Sequence, residues 1–309
     1  MLRAIVLGSA AGGGFPQWNS AGPGCRRARS GDPAARPRTQ ASLAVSADGV
    51  RWAILNAAPD IAAQIAATPA LHPVPAPGRI RHSPIAAVAL TGAEVDTVAG
   101  LLTLRERHGF GLYAAPPVLA VLAENPIFNV LDPVLVPRRP MALDRPLALA
   151  DATGAPLGLR VEAFAVPGKV ALFQERAGAD PGRADAGETI GLGIAAEGEA
   201  ASLFFIPGCA AMTPALRDRL AGAACLLFDG TLFRDDEMIA AGAGAKTGLR
   251  MGHMSMVDSI AALRDLPLGR RIFIHVNNTN PALLADSAER AAVRAAGWEV
   301  AEDGMEITL

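Results

Sequence analysis

Cysteine, aromatic residues and unbalanced charge are all scarce in this 309-residue chain. Its three cysteines, Cys25, Cys209 and Cys225, are too few and too scattered for a disulfide framework. No C-x-x-C is present, so a closed structural zinc site has no ligand pair to start from. The 28 Lys and Arg stand against 30 Asp and Glu, a net charge of −2 that offers no electrostatic grip on nucleic acid or an acidic membrane. No apolar run approaches the roughly 20 residues that span a bilayer. The opening residues, Met-Leu-Arg-Ala-Ile-Val-Leu-Gly, lack the basic start, long apolar stretch and cleavage site of a secretion signal. A cytoplasmic protein without membrane insertion is therefore expected. What is abundant is small apolar surface: 51% of residues are hydrophobic, many of them alanine, and only 19% are charged. Such a chain builds a large core and is not disordered.

The pattern of apolar runs alternates between strands and helices. Residues 2–7 read as a buried strand that stops at the glycine-rich turn Gly8-Ser-Ala-Ala-Gly-Gly-Gly-Phe-Pro16. Residues 42–46 and 51–55 flank Asp48-Gly49, a strong hairpin signal. A short helix over 60–67, a proline-rich loop over 69–84 and a strand over 85–90 follow. Val98, Leu101, Leu102 and Leu104 recur at helical spacing, so 96–107 reads as a helix with Asp96 near its start. A short strand at Tyr113 and a helix over 116–123 come next. The middle reads as β over 157–166, 169–174, 190–195 and 203–206, with a loop over 177–187. The second half alternates again, with helices over 214–220, 255–266 and 281–296 and strands over 224–228 and 271–276. A strand pair over 298–309 closes the chain. Two similar halves of strands plus helices predict an α/β fold in which two mixed β-sheets pack face to face with helices outside, an αββα sandwich. No linker divides the sequence, so one domain over 1–309 is expected.

Polar residues with chemical capacity sit at strand ends. Asp96 follows the 85–90 strand, Asp229 directly follows Cys225-Leu-Leu-Phe228, and His275 ends the run Ile272-Phe-Ile. In an α/β fold such positions converge on one edge, where ligands bind. An imidazole and two carboxylates there would suit iron, manganese or zinc. Blander roles compete at each position. Asp229 before a glycine is ordinary turn chemistry, Asp96 suits a helix start, and His253, just ahead of a helix, suits a loop cross-link. His72, His82 and His108 lie in surface segments. The glycine turn lacks the G-x-G-x-x-G spacing of a dinucleotide site, and no nucleophile elbow or P-loop is present.

Taken together, six motifs in order resemble the pyrroloquinoline quinone biosynthesis protein B family, an offshoot of the metallo-β-lactamase fold. They are residues 7–19, Leu90-Thr-Gly-Ala-Glu-Val-Asp96 with Gly100-Leu-Leu-Thr-Leu-Arg-Glu106, Pro167-Gly-Lys169, Phe228-Asp-Gly-Thr-Leu-Phe233 with Asp235-Asp-Glu237, Arg250-Met-Gly-His-Met254 and Ile274-His-Val-Asn-Asn-Thr-Asn-Pro281. The resemblance implies an iron-dependent hydroxylase of a crosslinked Glu–Tyr-derived precursor, or a carrier for the quinone or that precursor. It implies Asp96 and His275 as metal ligands, with Asp229 completing the shell or orienting a ligand. Lys169, Arg250, His253 and Asn278 are implied in the substrate pocket, where cations would neutralise carboxylates. Partners would be the small peptide-derived molecule and other enzymes of the pathway, with a second copy of the chain as a further candidate.

Two departures bear on that transfer. The family has Asp-His where this chain has Asp96-Thr97, so one histidine ligand is missing: either Asp96, His275 and Asp229 hold iron or manganese more weakly, or Glu94 or His253 replaces it, or the metal is lost and the pocket only binds. The cysteine cluster that holds a structural zinc is reduced to Cys25, so that zinc is not expected. Gly92, Glu94 and Thr97 stand where a dinuclear hydrolase of the wider fold needs histidines, which argues against a hydrolase.

Overall fold

The computed structural model describes residues 1–75, 77–78, 80–174, 187–200 and 202–309. The loop expected over 177–187 lies outside the described residues but for Gly187. Fourteen strands are formed by the described residues: β1 (Arg3–Gly8), β2 (Ser42–Ser46), β3 (Trp52–Leu55), β4 (Ile85–Ala89), β5 (Gly111–Ala114), β6 (Arg138–Pro140), β7 (Arg145–Ala150), β8 (Pro156–Ala165), β9 (Ile190–Ala196), β10 (Leu203–Ile206), β11 (Cys225–Asp229), β12 (Arg270–Ile274), β13 (Glu299–Val300) and β14 (Glu306–Thr308). They make two seven-stranded sheets, ordered β14-β1-β2-β3-β4-β5-β6 and β13-β12-β11-β10-β9-β8-β7. Both are mixed. In the first, β14, β1, β2 and β3 pair antiparallel, and β3 through β6 pair parallel. In the second, β7 through β10 are antiparallel and β10 through β13 parallel.

The layers follow from strand alternation. Residues of one parity, such as Val6, Leu43, Val45 and Leu55, meet Leu159, Val161, Leu192, Phe205 and Leu227 of the other sheet in a shared central core. The opposite parity of the first sheet, including Leu7, Ile54 and Val88, packs under α2 (Ile61–Ala67), α3 (Val95–Val98) and α4 (Pro116–Glu124), while Cys25 and Ala28 of α1 (Pro23–Arg29) join the outer cluster of the second sheet. The outer face of the second sheet, with Leu226, Phe228 and Phe273, is covered by α5 (Pro214–Leu220), α8 (Met256–Ala262) and α9 (Ala288–Ala295). Two short helices, α6 (Glu237–Ala240) and α7 (Gly248–Met251), lie between β11 and α8. The αββα arrangement expected from the sequence is thus present.

Local expectations fail where a non-local partner takes the backbone. The helix expected over 96–107 is one turn, α3, continued as a 3-10 segment over Ala99–Arg105. The Gly100 N–H donates to the Ala57 carbonyl at 2.8 Å instead of to the residue one helical turn back. A Cβ at Gly100 would sit 2.2 Å from the Ala58 carbonyl oxygen. Gly100→Ala is therefore expected to destabilise the fold by about 1–3 kcal/mol, read from the urea midpoint.

The strand expected over 169–174 is instead a loop ending in a 3-10 turn, Leu172–Gln174, because the Leu172 N–H is taken by the Glu94 carboxylate at 3.1 Å. The helix expected over 281–296 begins only at Ala288, where Ser287 caps it, after a separate 3-10 turn. The closing strands do not pair with each other. β13 joins β12 and β14 joins β1, so the chain end fastens both sheets.

Candidate functional site

The parallel halves of both sheets point their C-terminal ends at one cavity of about 780 Å3. The glycine turn after β1 closes its inner wall: Ala10 bridges to Val276, and the Ala11 N–H donates to the Val276 carbonyl at 2.9 Å. Ala11, Gly12 and Gly13 line the cavity, with Gly12 set against the Asp96 carboxylate. This turn serves as a wall that joins the sheets.

Asp96, Asp229 and His275 converge as their strand-end positions require. His275 follows β12 with φ of 61°, a left-handed conformation that costs a non-glycine residue roughly 1–3 kcal/mol. That bend turns its ring out of the sheet, with Nε2 3.0 Å from Asp96 Oδ2 and Nδ1 2.9 Å from the Thr231 hydroxyl. Burial works against ionisation of Asp96, but the hydrogen bond and charge of His275, with His253 behind it, hold its carboxyl below the usual range. Burial likewise lowers His275, and the hydrogen bond and charge of Asp96, with Asp229 and Glu94, more than offset that and raise it. The two groups therefore favour the charged pair.

Asp229 ends β11 and is fully buried. Oδ1 accepts from the Thr231 N–H at 3.0 Å and the Thr231 hydroxyl at 2.6 Å. Oδ2 accepts from the Cys209 N–H at 2.9 Å and faces His253 Nδ1 at 2.8 Å. The turn role and the site role of this aspartate coexist, since one carboxylate ties its own Asp-Gly-Thr turn and holds an imidazole. Burial, and then the Asp229 charge, push the neighbouring Cys209 thiol up to about 12, so it remains protonated.

His253 sits just beyond α7, whose C-terminal Gly252 has φ of 88°. Its ring stacks on His275 with centroids 5.3 Å apart and planes at 22°. Among the described residues, Asp229, His253 and His275 form a cluster whose donor atoms all lie within 4.8 Å of one another. His253, expected in the substrate pocket, stands beside Asp229 and His275 in this cluster of groups that could hold a metal, and Asp96 reaches it through His275. Thr97, where a histidine was missed, is buried in the cavity wall.

Two expected pocket residues face elsewhere. Arg250 is exposed on α7 and does not line the cavity, because Thr247 caps that short helix and turns Arg250 outward. Asn278 points to the other side of the glycine turn, donating to Gln17 Oε1 and lying 3.6 Å from the Cys25 thiol. Lys169 does line the cavity, its ammonium 3.0 Å from Glu94. Lys246 and Asn277 line it as well, and sequence reasoning missed both. Asn277 stands one place before Asn278 in the same motif, beyond the end of β12, where no strand alternation distinguishes them. Val95, Leu172 and Phe173 make the cavity's outer wall apolar and exposed.

Beside the cavity, burial pushes the Glu237 carboxyl up to about 7, against hydrogen bonds from the Thr279 hydroxyl and the Phe233 and Arg234 amides. The folded state therefore holds a proton that the unfolded chain releases near pH 4.5, and stability falls as pH rises from about 4.5 to 7. Glu237→Gln is expected to flatten that dependence, a difference on the order of 2 kcal/mol in urea unfolding measured at pH 5 and pH 8.

An Asp–His–Asp–His arrangement, with Asp229 fully buried, at the C-terminal edge of an αββα sandwich defines the class, and residues 51–276 match the β-lactamase superfamily domain. The chain is 58% identical to the coenzyme PQQ synthesis protein B of Gluconacetobacter diazotrophicus and 53% to that of Rhodopseudomonas palustris, each over the full length of both chains. The crystal structure of Zn(2+)-bound PqqB from Methylobacterium extorquens superimposes with a TM-score of 0.93 at 50% identity, covering 99% of this chain and 100% of that one. The chain belongs to the coenzyme PQQ synthesis protein B family. No helix among the described residues is long and apolar enough to cross a membrane.

Proposed function

We propose that the protein is a metal-dependent hydroxylase that acts in coenzyme PQQ synthesis on a Glu–Tyr-derived precursor, in the cytoplasm and alongside other enzymes of that pathway. The pathway comes from family membership. The observation that carries the chemistry is the donor set itself: two stacked imidazoles and a carboxylate gathered at the inner end of a large cavity. Two histidines and one carboxylate are what ferrous iron takes in non-haem oxygenases, with positions left for oxygen and substrate. His253 supplies the second imidazole that Thr97 withholds.

In this reading His275, His253 and Asp229 would hold the metal, Asp229 also accepting from the Cys209 and Thr231 amides, and Asp96 pairs with His275. Bound ferrous iron would supply redox chemistry with dioxygen. The chain's own residues do the rest. Lys169 and Lys246 place positive charge on the cavity wall for a precursor rich in carboxylates, and Asn277 adds an amide. The apolar wall of Val95, Leu172 and Phe173 suits the aromatic part of such a molecule and excludes water around it. Asp96, paired to His275, fixes that ring at the site's edge.

The test is anaerobic loading with Fe(II), addition of the crosslinked precursor and exposure to isotopically labelled dioxygen. Mass spectrometry should find labelled oxygen in the product. Unchanged precursor that is nevertheless bound tightly by calorimetry would replace the hydroxylase with the carrier reading, which the buried Thr97 in the cavity wall favours. The Methylobacterium relative is described as zinc-bound, so Zn(II) belongs in the same series as a redox-inert control.

A further inference from the structure

Glu94 and Lys169 join the two sheets at the cavity: Glu94 lies between β4 and α3, Lys169 follows β8, and both line the wall. The Lys169 ammonium lies 3.0 Å from Glu94 Oε1, and the Leu172 N–H donates to the same oxygen at 3.1 Å. One carboxylate oxygen thus takes a cation and a backbone amide. That is the kind of donor pair with which a pocket holds the carboxylate of a small molecule.

Lys169 is the fixed half of this contact. Its side chain is 18% exposed, against 37% for Glu94. The Thr189 hydroxyl donates to the Lys169 carbonyl at 2.8 Å, and the lysine stem passes over Gly252, where a Cβ would stand 3.1 Å from Lys169 Cγ. An ammonium so shielded from water is stabilised by a carboxylate beside it. The backbone of Glu94 is held at the start of α3, its carbonyl accepting from the Thr97 and Val98 amides. Its side chain can still leave the two donors by a rotamer change, with no backbone motion.

We propose that Glu94 is an internal competitor, occupying the subsite where Lys169 and the Leu172 amide hold a carboxylate of the substrate, which displaces it. This rests on the reading of the cavity above and deepens it by naming where the substrate's charge is held. Leu172 and Phe173, exposed beside that amide, fit a carboxylate carried on an aromatic body. An entering carboxylate replaces Glu94 on the same two donors. A neutral ligand that pushed Glu94 aside would break an ion pair and return no charge, so the competitor also sharpens selection for anions.

The experiment is calorimetry on the full-length protein, freed of metal so that no carboxylate is held by an ion, with isophthalate and with its uncharged analogue isophthalamide. Glu94→Gln keeps the shape and removes the competing charge. It should bind isophthalate about 10-fold more tightly than the wild type, as expected when Glu94 holds the subsite in roughly nine-tenths of molecules, and show no such gain for isophthalamide. Lys169→Gln should weaken isophthalate binding by about 10-fold, and adding Glu94→Gln to it should recover nothing. Glu188→Gln takes a different carboxylate from the cavity wall and should change affinity by less than about 3-fold, the effect of charge at a distance. A Glu94→Gln protein that binds isophthalate no more tightly than the wild type overturns the proposal. So does an equal gain from Glu188→Gln, or a gain shared by isophthalamide. Crystals of the wild type soaked in isophthalate test it without any variant: a carboxylate bound in the cavity while Glu94 stays on Lys169 overturns it as well. Labelled oxygen in the product without the Glu94→Gln gain overturns the role of Glu94 alone. The gain without oxidation of the crosslinked precursor supports that role and overturns the hydroxylase reading instead.

Discussion

Asp229→Ala should cost about 3–5 kcal/mol of stability, because it strips a fully buried carboxylate from four donors at once. The Cys209 and Thr231 amides would be left buried without partners, each worth roughly 1–3 kcal/mol when orphaned. For a chain of this size that corresponds to a fall in Tm of about 6–20 °C in a thermal scan. Asp229→Asn should recover only part of it, since an amide nitrogen would face one of the existing donors. A variant within about 1 kcal/mol of the wild type would mean that water or a rearranged loop satisfies these groups. The prediction concerns the metal-free fold and separates this aspartate's structural duty from its placement of His253.

His275→Ala should have the larger effect on function. It removes the imidazole that links Asp96 to Thr231 and His253, so metal binding should weaken by at least about 100-fold, beyond the 10- to 100-fold typical of losing a supporting partner. Stability should also fall, because Asp96 and Thr231 lose a partner at a shielded pair and alanine, with its Cβ, does not relieve the left-handed φ. His275→Gly, which accepts that φ, should be the more stable of the two variants. Equilibrium dialysis with Fe(II) under anaerobic conditions and urea unfolding on the same samples check both halves.

The sequence made the sandwich legible because its signals were local. Runs such as Leu2–Leu7 and Cys225–Phe228 stop at glycine or aspartate, and the Asp48-Gly49 turn closes the β2–β3 hairpin as expected. Asp229 and His275 were legible for the same reason, each ending a buried run on the same sheet edge. What could not be read was direction and long-range partnership. Arg250 has the right chemistry for a carboxylate substrate, but a four-residue helix capped by Thr247 turns it to solvent, and Lys246 nearby faces the cavity instead. Gly100 looked like a helix interior until Ala57 took its amide. β6 and β7 went unseen because Arg138–Pro140 and Arg145–Ala150 are short edge strands, half exposed, whose pairing is set by neighbours on either side. Thr231 looked like the tail of a turn, and only the fold brings two distant histidines to its hydroxyl.

The replacement of a family histidine by Thr97 need not empty the site, because His253 arrives from a separate loop and stacks on His275. Diffraction at the iron edge from crystals soaked anaerobically in Fe(II) tests this most directly. One anomalous peak per chain should appear within bonding distance of His275, His253 and Asp229. A peak bound elsewhere, or none at full Fe(II) loading, would contradict it.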